Sequence, residues 1–281
     1  MEPNYLTYYP GTVLKRIRMG KNIRIPDLCD NLISTSYYSK IENNQSMPSL
    51  TIFLALIYRV NVSLTEFFYL SRDYHLSEKE NFGNFLATIE YQESKEIQKF
   101  LKLTNRQYKY TGDPLYLIYH ETALFFIHEV EVPTTVIDYL NELDHWYLHD
   151  IILFSLICNQ FSDQYLDIRC DSLNRQLKKY VDFPMANNIL PMIFYRLAIR
   201  MAQTEFEISE YHCQNFMEIL KNMKMLDSRM IYLFISDLLE YLKDSEKDNL
   251  ILTQYLDGLF LMNMEPLKNN MSQHLRGLNI I

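Results

Sequence analysis

The residues best suited to chemistry form one short row. In the stretch TSYYSKIEN, from Thr35 to Asn43, the apolar pair Tyr38 and Ile41 lies three apart. A helix here turns both inward and leaves Thr35, Ser36, Tyr37 and Lys40 on its outer side, with Asn43 at its close. Short hydroxyls and one cation bond base edges or phosphate oxygens, and such a helix fits the major groove of B-form DNA. Other chemistry is poorly supported. No glycine-rich phosphate loop, GxSxG or hydrolase-like Cys/His spacing occurs, and six glycines leave little room for such loops. His145 and His149 lie four apart beside Trp146, but no further ligand follows at metal spacing. His120 with Glu121, and His128 with Glu129, read as surface pairs. No catalytic residue, metal or cofactor is expected.

The row needs elements to hold it. Residues 11 to 68 fall into five short apolar periodic segments, of which the second, Pro26 to Leu32, is followed by the turn Ile33-Ser34 and then the segment carrying the row. That spacing sets two helices across a tight angle, the punctuation of a helix-turn-helix. Ser34 stands where its hydroxyl caps the third helix, and Pro26 suits a first-turn position because its missing amide has no partner to lose. Pro48 opens the fourth segment.

The order of residues resembles the XRE (lambda repressor-like) helix-turn-helix family: LKRIR, SxSYYSKIEN and MPSLTIFLALIYRVNVSLTEFF each match. The resemblance implies five helices around a small core and an ion pair between Arg18 of the first helix and Glu42 ending the third. Where that family often has a Ser-Gln that touches a phosphate, the chain reads Arg24-Ile25-Pro26, and Arg24 is expected to replace the contact. The turn reads one residue shorter than the usual family pattern. Asn44 takes the place of a helix-ending glycine, and Asn tolerates the left-handed conformation better than most residues.

A domain of this kind needs about 65 residues, so a chain of 281 leaves enough for a second core. Six glycines and nine prolines, against about 20 and 14 at average usage, predict an all-α chain. Residues 1–70 carry seven Lys/Arg against five Asp/Glu, whereas residues 71–281 carry 20 against 30. Only the N-terminal part suits a polyanion, and so weak a positive balance implies two copies on DNA. Cys29, Cys158, Cys170 and Cys213 are dispersed and read as reduced apolar residues. No apolar run approaches the roughly 20 residues of a membrane span, and residues 1–10 lack the pattern of a signal peptide. The expected location is the cytoplasm, with no membrane partner.

The domains read as 1–70 for DNA binding, 71–77 as a linker and 78–281 as a helical repeat domain. Ser77-Glu78-Lys79-Glu80 opens the last with a capping signal. Its helices are expected at about 78–91, 94–108, 114–129, 134–142, 146–161, 163–180, 185–203, 207–222, 227–243 and 246–263, with another from about 266. The pairs 146–180, 185–222 and 227–263 have the period of tetratricopeptide-like repeats, whose concave wall binds extended segments. With IYHETALFFIHEVE and VIDYLNELDHWYLHDIILFSLI, this layout is similar to the Rgg/GadR/MutR family of Gram-positive regulators. The resemblance implies a homodimeric transcription factor that binds double-stranded DNA, responds to a short signalling peptide in quorum sensing, and has RNA polymerase as a further partner. A peptide-binding groove needs amides, hydroxyls and an arginine. Asn159, Asn188, Tyr195, Arg196 and Arg200, on helices of the middle of the array, are the candidates. Two alternatives stand beside this reading: an acidic array that binds a protein partner, and a small metabolite as the ligand.

Overall fold

Serine side chains start three of the N-terminal helices and asparagine backbones stop four of them. In the computed structural model, which describes residues 9–128, 134–244 and 249–281, these helices are α1 (Pro10–Gly20), α2 (Ile25–Cys29), α3 (Thr35–Glu42), α4 (Leu50–Arg59) and α5 (Leu64–Ser71). The hydroxyls of Ser34, Ser49 and Ser63 accept the amides of Tyr37, Ile52 and Glu66, each meeting a first-turn donor that has no partner within its helix. Pro48 therefore precedes the cap of α4 and does not open the helix itself. Just past α1, α2, α3 and α4 stand Asn22, Asn31, Asn44 and Asn61, at φ of 54°, 50°, 57° and 50°. Helices commonly stop at a left-handed glycine, and asparagine is the next most tolerant residue there. In a chain with six glycines, asparagine takes that place after these four helices.

The second helix ends earlier than its apolar pattern suggests. Asn31 turns left-handed and the amides of Leu32 and Ile33 fold back on the Cys29 carbonyl, so α2 stops at Cys29 and the turn runs from Asp30 to Ser34. Leu14, Ile17, Leu28, Tyr38, Ile41, Leu56 and Phe67 form the core beneath. Each such side chain contributes about 1.5–3 kcal/mol through removal from water.

Residues Met1–Asn81 and Phe82–Ile281 form two compact units. At the start of α6 (Glu78–Ala87) the Ser77 hydroxyl accepts the Glu80 amide at 3.2 Å while Glu80 Oε2 accepts the Ser77 amide at 2.7 Å. This is a reciprocal capping box. Then follow a 3-10 turn Ile89–Tyr91, α7 (Ser94–Thr111), α8 (Pro114–His128), α9 (Thr134–Glu142), α10 (Leu148–Ile157), α11 (Asp163–Leu177), α12 (Leu190–Met201), α13 (Phe206–Asn222), α14 (Leu226–Lys243), α15 (Leu250–Leu261) and α16 (Glu265–Gly277). Among the described residues there is no strand. The expected start of the penultimate helix at 246 lies outside the described residues, and so does Glu129 of the pair with His128.

Helices α8, α10, α12 and α14 pack in succession, α11 packs on α13, and α16 returns to the turn Ile89–Tyr91. All twelve residues of α12 are buried. Its helix is shorter than the 185–203 expected, because Pro191 lacks the amide that would continue a helix from behind. The preceding residues form a separate 3-10 turn, Pro184–Asn188. Among the described residues no single helix is long and apolar enough to cross a membrane.

Candidate functional site

Among the described residues, each unit has one place suited to binding a partner. The first is α3. Tyr38 and Ile41 are 0% and 1% exposed, so the helix turns the opposite side to solvent. Thr35, Ser36, Lys40 and Asn43 are exposed there. Tyr37 is half-buried and its hydroxyl donates to the Met47 carbonyl at 3.3 Å. Its ring therefore sits at the edge of the outer face. Arg24 stands exposed just before α2 and bridges to Asp27 at 2.8 Å. An exposed pair of this kind is worth little and is readily exchanged for a phosphate.

The row is held from behind by an ion pair. Arg18 Nε donates to Glu42 Oε1 at 2.6 Å and Nη2 to Oε2 at 3.2 Å, while Nη1 donates to the Ile23 carbonyl at 2.9 Å. Glu42 is 5% exposed. Removing one partner of such a pair strands the other, at about 3–5 kcal/mol where the survivor is buried. Burial raises the Tyr38 hydroxyl well above its ordinary pKa, and the neighbouring Glu42 carboxylate raises it further.

A second tie joins the same two helices. The Gly11 amide donates to Asn44 Oδ1 at 3.1 Å, and Asn44 Nδ2 donates to the Thr12 hydroxyl at 2.7 Å. Thus the asparagine that stops α3 also caps α1. The approach is so close that a β-carbon on Gly11 would stand 1.7 Å from the Ile41 carbonyl oxygen.

The second place is a cavity of about 490 Å³ within the helical unit. Five carboxamides converge on it: Asn159 and Gln160 from the 3-10 turn after α10, Gln203 just past α12, and Asn270 and Gln273 from α16. Phe125, Phe126, Leu156 and Ile199 supply apolar wall. Arg196 and Glu90 form its charged part and neutralise each other. Arg196 Nε and Nη2 both donate to the Glu90 carboxylate, the latter at 2.5 Å. Nη2 also donates to the Ala87 carbonyl at 2.9 Å and Nη1 to the Ser155 hydroxyl at 3.1 Å. Asn270 Nδ2 donates to the Glu90 carbonyl at 3.3 Å, which ties α16 to the start of the unit.

Of the five candidates read from sequence, the cavity brings together Asn159 and Arg196. The other three lie off its lining. Asn188 is exposed at the end of its 3-10 turn. Tyr195 is fully buried, and its hydroxyl shares a 2.8 Å hydrogen bond with Nδ1 of His274, which does line the cavity. Arg200 Nη2 donates to the Phe161 carbonyl at 2.9 Å and to Asp163 at 2.6 Å. Arg196 and Arg200 stand one turn apart on α12 and both are buried, because α12 is enclosed on every side and each charge needs a partner within the protein.

Sequence reasoning missed Glu90, Asn270, Gln273 and His274. Glu90 had a signal, a lone carboxylate in the apolar run FLATIEY. The amides of α16 had none, since Gln and Asn on a helix read as surface. The ring of His149 stands edge-on to Tyr119. Among the described residues no group of His, Cys, Asp and Glu is placed to hold a metal ion.

Residues 101–273 match the family described as HTH-type transcriptional regulator Rgg, C-terminal domain, and residues 14–67 match the family described as Helix-turn-helix. No curated protein sequence matches the chain. Among solved structures, a candidate transcriptional regulator from Listeria monocytogenes EGD-e superposes with a TM-score of 0.76 at 16% identity, covering 98% of this chain and 99% of its own. A cysteine-to-serine variant of the SHP pheromone receptor Rgg2 of Streptococcus dysgalactiae has a TM-score of 0.69 at 20% identity, over 95% of this chain and 98% of its own. PlcR of Bacillus thuringiensis, in complex with the peptide PapR7 and DNA, has a TM-score of 0.63 at 16% identity, over 94% of this chain and 99% of its own. At these identities the likeness is one of fold.

Proposed function

The chain belongs to the Rgg family of helix-turn-helix transcriptional regulators, and from that premise we propose that it reads operator DNA as a homodimer under the control of a short peptide. The peptide occupies the cavity of the helical unit. The observation that carries this reading is the chemistry of the lining: five carboxamides, an apolar wall and a charge pair that cancels itself. A carboxamide offers one acceptor and two donors, which is what an extended backbone with its own unpaired amides and carbonyls requires. A net-neutral lining selects a ligand with little charge and apolar side chains. The S. dysgalactiae relative is a pheromone receptor, and the B. thuringiensis relative was seen with a peptide and DNA together.

Thr35, Ser36, Lys40 and Asn43 make the base and phosphate contacts, with Tyr37 at the edge and Arg24 exchanging Asp27 for a phosphate. Arg18 and Glu42 hold the reading helix without touching DNA. In the cavity Asn159 bonds the peptide backbone, while Arg196 organises Glu90 and the turn beneath it. A ligand shifts DNA binding only to the extent that it prefers one dimer arrangement over another.

The test has two arms. The Ser36→Ala, Lys40→Ala double variant should lose its preference for an operator, selected from random duplexes, over unrelated DNA while its helical circular dichroism stays unchanged. Synthetic apolar peptides should raise the unfolding temperature of the wild-type chain and raise it less for Asn270→Ala with Gln273→Ala. Unchanged operator preference refutes the reading helix, and no peptide-induced shift with any probe refutes the ligand class.

A further inference from the structure

Helix α7 carries a feature the reading above does not use. Lys95, Lys99, Lys102, Arg106 and Lys109 follow one another at steps of four, three, four and three. At 100° per residue they fall within an arc of about 80°, and at 1.5 Å per residue the row is about 21 Å long. All five are exposed. Lys99 has Glu96 at 3.6 Å; the other four have no ion pair among the described residues. The opposite side of the helix buries Ile97, Phe100, Leu101 and Thr104, so the stripe is fixed facing outward. The rest of the chain beyond it has the other sign: α7 holds a single acid, Glu96, whereas residues 112–281 carry 13 Lys/Arg against 24 Asp/Glu.

We propose that this stripe is a second DNA-contacting surface, which grips duplex phosphates without reading sequence; it rests on the DNA-binding reading above. The need for it appears in the first unit. Arg16, Arg18, Lys21, Arg24 and Arg59 are already bonded to Asp73, Glu42, the Asn61 carbonyl, Asp27 and the Leu28 and Asp30 carbonyls. Of the cations in residues 9–70, this leaves Lys15 and Lys40 without a partner among the described residues, and Arg24 available only by giving up Asp27, in a chain of net charge −8. Duplex DNA carries one phosphate per about 3.4 Å of axis on each strand, so a 21 Å row faces about six of them. Lysine and arginine on long stems adapt to such a line, and each contact releases counterions.

The experiment uses the full chain and two duplexes of about 60 base pairs, one with the selected operator and one unrelated, titrated by fluorescence anisotropy over a range of salt. In the Lys102→Gln, Arg106→Gln, Lys109→Gln variant, affinity for both duplexes should fall by about 4-fold per lost contact at about 0.2 M salt. The slope of log K against log salt should flatten by about 2 to 3 for each protomer whose stripe meets the duplex. The ratio of operator to unrelated affinity should stay unchanged, in contrast to Ser36→Ala with Lys40→Ala. Lys95→Arg, Lys102→Arg, Lys109→Arg, which keeps the charge, should bind as the wild type does. Equal affinity and equal salt slope in the glutamine variant overturn the stripe alone, and an acidic protein then becomes its natural occupant. Failure of the wild type to bind any duplex overturns the DNA reading and the stripe with it.

Discussion

Glu90 and Arg196 come from helical segments 106 residues apart in sequence and meet with side chains 1% and 5% exposed. Replacing Arg196 by methionine keeps the volume but leaves the Glu90 carboxylate buried without its counter-charge, and leaves the Ala87 carbonyl and the Ser155 hydroxyl without their guanidinium donor. Removing one member of a buried pair costs about 3–5 kcal/mol. For a unit of 200 residues that is about 6–20 °C of unfolding temperature. Trp146 is the sole tryptophan and is buried in the helical unit, so its fluorescence follows that unit without contribution from the first. Urea titrations read at Trp146 should therefore show Arg196→Met and Glu90→Leu each strongly destabilised. Glu90→Leu with Arg196→Met should recover most of the loss, since well-packed apolar pairs replace buried ion pairs at little cost. Single variants within about 1 kcal/mol of wild type, or a double variant equal to the sum of the singles, would refute the view of this pair as mutually dependent.

Gly11→Ala should destabilise the first unit by more than about 1–3 kcal/mol, since its β-carbon meets backbone at 1.7 Å and α1 must move away from α3. Circular dichroism melts would show it, and operator affinity should fall in parallel. Burial alone would raise the pKa of Glu80, but the two bonds with Ser77 and the Arg72 charge outweigh it and hold the carboxyl below its ordinary range. A depressed folded pKa gives stability that is complete above the unfolded value of about 4.3 and is lost as pH falls through the folded one. The stability gap between wild type and Glu80→Gln should accordingly be widest near neutral pH and narrow below about pH 4; a gap that does not change with pH refutes this. All four cysteines are buried, and burial pushes the Cys158 and Cys213 thiols to about 12. Iodoacetamide at about pH 8 should label none of them in the folded protein and all four in urea, because the thiolate is the reacting species.

Local patterns carried the first unit well. The inward pair Tyr38 and Ile41, the Ser34 cap and the meeting of Arg18 with Glu42 follow from spacing, from a capping residue and from a familiar order of residues. The link from Gly11 to Asn44 did not, since a close approach of two backbones leaves only a glycine as its trace. In the second unit, helix positions were legible to within a few residues, because amphipathic period and Pro or Ser boundaries are local. Which side chains share the cavity was not. Asn270 and Glu90 are 180 residues apart, and no period in either segment reports on the other. For Arg196 and Arg200 the warning was present: LPMIFYRLAIRM is apolar nearly all round, and such a helix is enclosed. Their spacing placed them on one face, but that face was interior.

The return of α16 to the turn Ile89–Tyr91 sets an order of events during synthesis. A ribosome at about 5–20 residues per second completes Met1–Asn81 and then needs roughly 10–40 s to reach Gly277. Once α15 is made, the nascent chain holds every residue of the five-helix unit and a cavity lining still missing Asn270, Gln273 and His274. Glu90 must wait for the Asn270 that closes over its carbonyl. A premature stop between α15 and α16 would release a chain with all residues of its first unit and a cavity open on one side.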